Sequence, residues 1–166
     1  PAPIAVKSDS YVIDQIGNKF TFMDGLSLKV NDTELFVTKD TATENCYHFG
    51  TPDGQGAYPY TVTYTDKNGE TPAQFTWNIN ENVYAGTKVT LSYKLELTTR
   101  EKNPGTYGVE DLNGDGQIEQ GKTPIYTNEK AALYIKEKEN NQEKEIAVFP
   151  KPSVSYTIKS NSGSHS

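Results

Sequence analysis

Between residues 89 and 97 the chain reads Val-Thr-Leu-Ser-Tyr-Lys-Leu-Glu-Leu, with apolar or aromatic residues at odd positions and polar ones at even positions. Strand side chains alternate between the two faces of a sheet, so this pattern specifies one buried face and one wet one. The signal recurs in shorter pieces. Residues 11–16, 19–23, 26–30, 34–38, 60–64, 74–79, 131–135, 145–149 and 153–158 read as strands, and Gly17-Asn18, Asp24-Gly25, Asn31-Asp32 and Asp66-Lys67-Asn68-Gly69 as the turns between them. Residues 40–59 are rich in Gly and Asp and read as mostly loop, 80–86 has room for one short turn, and 136–144 reads as a charged hairpin tip. Pro150 and Pro152 flank Lys151, which suits an edge or a strand entry. No segment carries a sustained helical period with caps. Many short strands punctuated by turns predict a β-sandwich.

The chain of 166 residues suits one domain with a real core. Hydrophobic residues make up 34% and mean hydropathy is -0.72, low for an enzyme built around a large interior and ordinary for an extended sheet protein with much solvated surface. The 11 Tyr, against a single Met and a single Trp, favour strands. A net charge of -6 repels phosphate backbones and argues against a nucleic-acid partner. The single Cys46 excludes an intrachain disulfide and is compatible with export or with the cytosol. No signal peptide, membrane-spanning apolar run or sorting motif is visible. The expected organisation is an N-terminal segment or first strand over 1–10, the sandwich over 11–158, and a flexible tail over 159–166. The whole reads as a domain taken from something larger.

Two stretches could carry chemistry. Asp111-Leu112-Asn113-Gly114-Asp115-Gly116-Gln117-Ile118-Glu119 sets oxygen side chains at alternate positions around a Gly, the curl that wraps a hard cation. Asp111, Asn113 and Asp115 would give side-chain oxygens, Gln117 its carbonyl, and Glu119 a ligand or its bridging water. The twelfth position is Lys122 rather than Glu, so calcium binding at this loop is expected to be weak. The plainer alternative is an acidic, Gly-rich hairpin loop without metal. The second stretch pairs Asp14 with Asn128. Joining Lys to Asn needs a neutral, desolvated amine, a polarised Asn carbonyl and a rigid near-attack geometry. A carboxyl among Val12, Ile13 and Ile16 would have its pKa raised and could polarise that carbonyl. Pattern alone equally allows Asp14 as a turn cap and Asn128 as a turn closer.

Asp14-Gln15-Ile16-Gly17, Val89-Thr90-Leu91-Ser92-Tyr93-Lys94-Leu95, Tyr126-Thr127-Asn128-Glu129-Lys130-Ala131 and Phe149-Pro150-Lys151-Pro152 occur in this order. The series resembles the segment that follows the von Willebrand factor A domain in Gram-positive pilus-tip and surface adhesins, over nearly the whole chain. The resemblance implies an all-β, Ig-like sandwich of the Cna collagen-adhesin type, on an extracellular, cell-wall-attached protein. Its partners would be other domains of that protein and a host matrix protein or glycan. It also implies Asn128 as isopeptide acceptor and Asp14 as assisting acid. The reacting lysine of such adhesins can lie before the inserted A domain. Lys7 is the one lysine preceding Asp14 here, so either Lys7 reacts with Asn128 or the lysine strand lies elsewhere.

The remaining candidates read more plainly. Cys46 and His48 would share a strand face, but without a visible orienting acid they read as a half-buried Cys beside a surface His, and give little basis for zinc. Trp77 suits a core more than a sugar-stacking platform. The functional expectation is a structural or adhesive surface module whose only chemistry is single-turnover and on itself. The alternative is a carbohydrate- or matrix-binding module using the loop over 40–60, with Tyr58 and Tyr60. A hydrolase would need an acid pair or triad that the sequence does not display.

Overall fold

The computed structural model describes residues 1–111, 114, 115, 117, 121, 123–137 and 140–161, and strands are the only extended regular structure among them. In chain order they are β1 (Ile4–Val6), β2 (Ser10–Ile16), β3 (Phe20–Phe22), β4 (Ser27–Val30), β5 (Thr33–Glu34), β6 (Val37–Lys39), β7 (Cys46–Phe49), β8 (Tyr60–Thr65) and β9 (Gln74–Ile79). There follow β10 (Val83–Tyr84), β11 (Val89–Ser92), β12 (Leu95–Leu97), β13 (Gly105–Tyr107), β14 (Ile125–Tyr126), β15 (Asn128–Lys136), β16 (Glu143–Val148), β17 (Ser153–Val154) and β18 (Tyr156–Ile158).

Seven strands form one sheet in the order β16-β15-β2-β9-β8-β7-β6, with every neighbour antiparallel. Its inner face is set by alternation. Val12 and Ile16 on β2, Phe75 and Ile79 on β9, Tyr60 and Val62 on β8, and Phe49 on β7 are all buried. Shorter ladders make the facing layer: β4 joins β11 and β5, and β3 joins β12. Leu28 completes the buried cluster from that side, with Phe20, Phe22, Leu91 and Leu95 packed against it. Phe22 meets Phe75 edge-on, with ring centroids 4.9 Å apart at 86°, an arrangement that adds about 0.5–1.5 kcal/mol to simple burial. The molecule is an all-β sandwich. The outer face of the large sheet is polar across β8 and β9, with Thr63 opposite Thr76 and Thr61 opposite Asn78.

Several predicted elements take a different form. Residues 89–97 are two strands: β11 pairs with β4 and β12 with β3. The partner chain turns between them through Asp24 and Gly25, at φ 89° and 75°, and Lys94 bridges the gap by bonding Met23 and Asp24. The alternation survives the break, so Tyr93 keeps the inward side. Residues 46–49 are a strand of the main sheet, although the Gly and Asp around them read as loop. Tyr47 and Phe49 pair with Val62 and Tyr60, and this inward packing outweighs the polar surroundings. The 80–86 segment holds the short strand β10, which pairs with β1.

Candidate functional site

Asp14, Tyr93 and Asn128 converge at one end of the sandwich. Asp14 lies on the inner face of β2, between Val12 and Ile16. Asn128 opens β15 and is 7% exposed. The β2–β15 register is irregular between Asn128 and Lys130, where Asn128 lies opposite Ile16 and Lys130 opposite Gln15. A bulge puts one extra residue on one strand. Here that residue is Glu129, which lets Asn128 take the inward position beside Ile16. Gly17 allows the close approach: its N–H donates to the Thr127 carbonyl at 2.7 Å, and a Cβ there would sit 2.2 Å from the Tyr126 carbonyl oxygen.

The polar atoms form a closed set. Asn128 Nδ2 donates to Asp14 Oδ1, and also to the Tyr93 hydroxyl at 2.8 Å. The Tyr93 hydroxyl donates to Asp14 Oδ2. Thr127 Oγ1 donates to Asn128 Oδ1 at 2.5 Å. Phe75 lies against the Tyr93 ring, with centroids 4.4 Å apart. Burial raises the Asp14 carboxyl above its ordinary range, and the hydrogen bonds from Tyr93 and Asn128 offset only part of that rise. Burial, and after it the neighbouring carboxylate, push the Tyr93 hydroxyl up as well, so it stays a proton donor.

Lys7 is not brought to this cluster. It is exposed, just before β2, where its carbonyl accepts from Ser10 N–H at 3.2 Å. Asn128 faces Ile16 at the far end of that seven-residue strand, about 20 Å away at ordinary strand rise. Among the described residues no lysine ammonium bonds to Asp14 or Asn128. Lys130 pairs with Glu145 at 2.5 Å, and Lys151 sits 3.9 Å over the Tyr126 ring.

In the Asp111 loop, Asp111 is buried and both its carboxylate oxygens are engaged. Oδ1 accepts from Gly114 N–H at 3.1 Å and Oδ2 from the Tyr126 hydroxyl at 2.8 Å. Asp115 is exposed, and its Oδ1 accepts from Gln117 N–H at 2.8 Å. Gly114, at φ 64°, supplies the expected curl. Asn113 and Glu119 lie outside the described residues.

The family model for the tip pilin GBS104-like Ig-like domain matches residues 6–155. The chain belongs to this family. The solved structure of the adhesive tip pilin GBS104 from Group B Streptococcus agalactiae is similar at 22% identity and a TM-score of 0.48, over 89% of this chain and 22% of that one. The chain therefore spans about a fifth of that protein's length. No curated protein matches. A tip-pilin Ig-like domain is a structural part of an extracellular surface assembly rather than a turnover enzyme. Among the described residues no helix is long and apolar enough to cross a membrane.

Tyr93 and Thr127 lie within two of the motifs that carry the resemblance, but the sequence assigns a role to neither. The Tyr93 hydroxyl joins the cluster because its strand lies over Asp14, and Thr127 joins through its bond to Asn128 Oδ1. Trp77, for its part, packs against the core cluster, with its ring centroid 6.3 Å from that of Tyr60. Tyr58 stacks on His48 at 4.6 Å.

Proposed function

We propose that this tip-pilin domain is a load-bearing module of a cell-wall-attached surface protein, and that Asp14 and Asn128 are the acid and acceptor of an intramolecular Lys–Asn isopeptide site. The observation that carries the reading is the half-buried Asp14–Tyr93–Asn128 cluster, where β2, β15 and the β11–β12 junction meet. A neutral lysine amine attacks Asn128 Cγ, the Cγ–Nδ2 bond breaks as the new amide forms, and Nδ2 leaves as ammonia. The proton lost by the amine reaches the leaving nitrogen through Asp14. A half-turn of the Asn128 amide would aim its oxygen at the Tyr93 hydroxyl and a protonated Asp14, so both would polarise the carbonyl in a water-poor setting. The placement of Lys7 favours an amine from another strand of the parent protein. The covalent tie would hold β15 against pulling forces and, like a disulfide, restrict the unfolded chain.

Intact denatured mass tests this reading. The chain alone is expected at its full sequence mass. The longer parent protein is expected one ammonia lighter, with a lysine outside residues 1–166 joined to Asn128. A parent at full mass, or a deficit that survives Asn128→Ala, would overturn it.

Weak calcium binding at the Asp111 loop belongs to the same proposal and rests on the oxygen spacing and on the curl at Gly114. Calcium is expected to raise the melting temperature reversibly, with EDTA removing the gain. An unchanged melt in millimolar calcium would make the loop purely structural.

A further inference from the structure

Cys46 and His48 stand two residues apart on β7, so their side chains share the polar outer face of the sheet. Asp40 follows β6, and its N–H donates to the Cys46 carbonyl at 2.9 Å, which brings its carboxylate to the same spot. One ligand atom from each of the three lies within 4.8 Å of the other two. Each side chain is also held from behind. Asp40 Oδ2 accepts from Ala42 and Thr43 N–H at 3.0 and 2.7 Å, leaving Oδ1 turned to His48. The His48 ring stacks on Tyr58 at 4.6 Å and 14°. Its Nδ1 meets Thr61 Oγ1 at 3.0 Å, while Nε2 faces Asp40 Oδ1 at 2.8 Å.

This arrangement does not make a nucleophile of Cys46. Thr61 and Asp40 take the two ring nitrogens, so none is left to accept the thiol proton. The arrangement does match a metal-binding histidine, whose second nitrogen is normally fixed by an outer partner such as the Thr61 hydroxyl. We propose that Asp40, Cys46 and His48 hold one zinc-class divalent ion through Oδ1, Sγ and Nε2. Sulfur, imidazole and carboxylate together suit a borderline ion and not calcium or magnesium, which take oxygen ligands. Around a tetrahedral ion the ligand atoms stand about 3.3–3.6 Å apart. Nε2 and Oδ1 part slightly to admit the ion, and Cys46 turns toward it by side-chain rotation. Cys46 ligates as thiolate, so its proton is released to solvent on binding. An adjoining cavity of about 220 Å³, lined by Asp40, Thr43, Glu44 and Cys46 among others, leaves the fourth position to water or a partner's ligand. The ion would clamp the short edge strand β6 to β7.

The test is titration of the whole chain with zinc chloride, followed by calorimetry and native mass spectrometry, and with cobalt(II) followed by absorbance. The expected result is one equivalent bound and a near-ultraviolet thiolate-to-cobalt charge-transfer band. Cys46→Ser abolishes the band, His48→Gln weakens binding at least tenfold, and Thr61→Val weakens it by about 10–100-fold. Absence of the band in the unaltered protein overturns the proposal, whatever the variants do to folding. So does zinc affinity unchanged in both Cys46→Ser and His48→Gln, which would place the ion elsewhere.

Discussion

Asn128 donates from Nδ2 to Asp14 Oδ1 across 114 residues of sequence, with Asn128 buried and Asp14 half-buried. Each therefore depends on the other and on Tyr93. Removing one partner of a buried hydrogen bond costs about 1–3 kcal/mol, because the survivor stays desolvated. Asp14→Ala removes the acceptor of the Tyr93 hydroxyl and one acceptor of the Asn128 amide, which still bond to each other at 2.8 Å. It should lower unfolding free energy by about 1–3 kcal/mol in urea denaturation, and a loss under about 0.5 kcal/mol would mean the cluster is open to water.

The pH dependence of stability has a defined sign here. Burial raises the folded Asp14 carboxyl above 3.8. The folded state then binds the proton more tightly than the unfolded state, so this contribution is complete below pH 3.8 and is lost as pH rises through the folded value. Asp40 acts oppositely. The bond to His48, helped by the amides of Thr43 and Ala42, holds its carboxyl down to about 2, so its contribution is present above 3.8 and lost as pH falls through about 2. Asp14→Asn should abolish the decline above pH 3.8 and leave the acid limb intact. Parallel stability profiles of the two proteins from pH 3 to 7 would refute the assignment.

Tyr93→Phe keeps the ring against Phe75 and removes only the hydroxyl. The bond from Tyr93 lowers the Asp14 pKa, so its loss should move that pKa further up. Carboxyl NMR titration reads this directly. A downward shift, or none, would contradict the hydrogen-bond geometry.

Gly17→Ala tests the approach of β2 to the segment carrying Asn128. The new methyl would lie 2.2 Å from the Tyr126 carbonyl oxygen, which is backbone and cannot swing aside. A loss of about 1–3 kcal/mol is expected, as for other overpacked sites. Gly54→Ala, with nothing within 4 Å, is the control and should stay within about 0.5 kcal/mol. Equal melting temperatures for the two variants would rule out the close approach.

Lys7→Ala should change neither the intact mass nor, beyond about 0.5 kcal/mol, the stability, because Lys7 is exposed at the other end of β2. A mass deficit in the unaltered chain that disappears in Lys7→Ala would restore Lys7 as the nucleophile.

The sequence by itself determined the all-β class and the inward residues of β11–β12, and the ordered motifs, through their resemblance, singled out Asp14 and Asn128 together. Alternation is a local property, so it is legible wherever one strand face is buried, as from Val89 to Ser92. The tertiary structure alone decided the rest. Residues 46–49 became a strand because Tyr47 and Phe49 found Val62 and Tyr60 across the ladder, a pairing no local pattern encodes. Tyr93 entered the site because the β11–β12 junction lies over β2 and β15, which puts its hydroxyl against Asp14 and Asn128. Asn128 faces inward because a bulge shifts the register at Glu129. Lys7 and Asn128 stand apart because β2 runs its full length between them. Strand length, register and the bulge are set by packing between segments distant in sequence, and they decide which side chains meet.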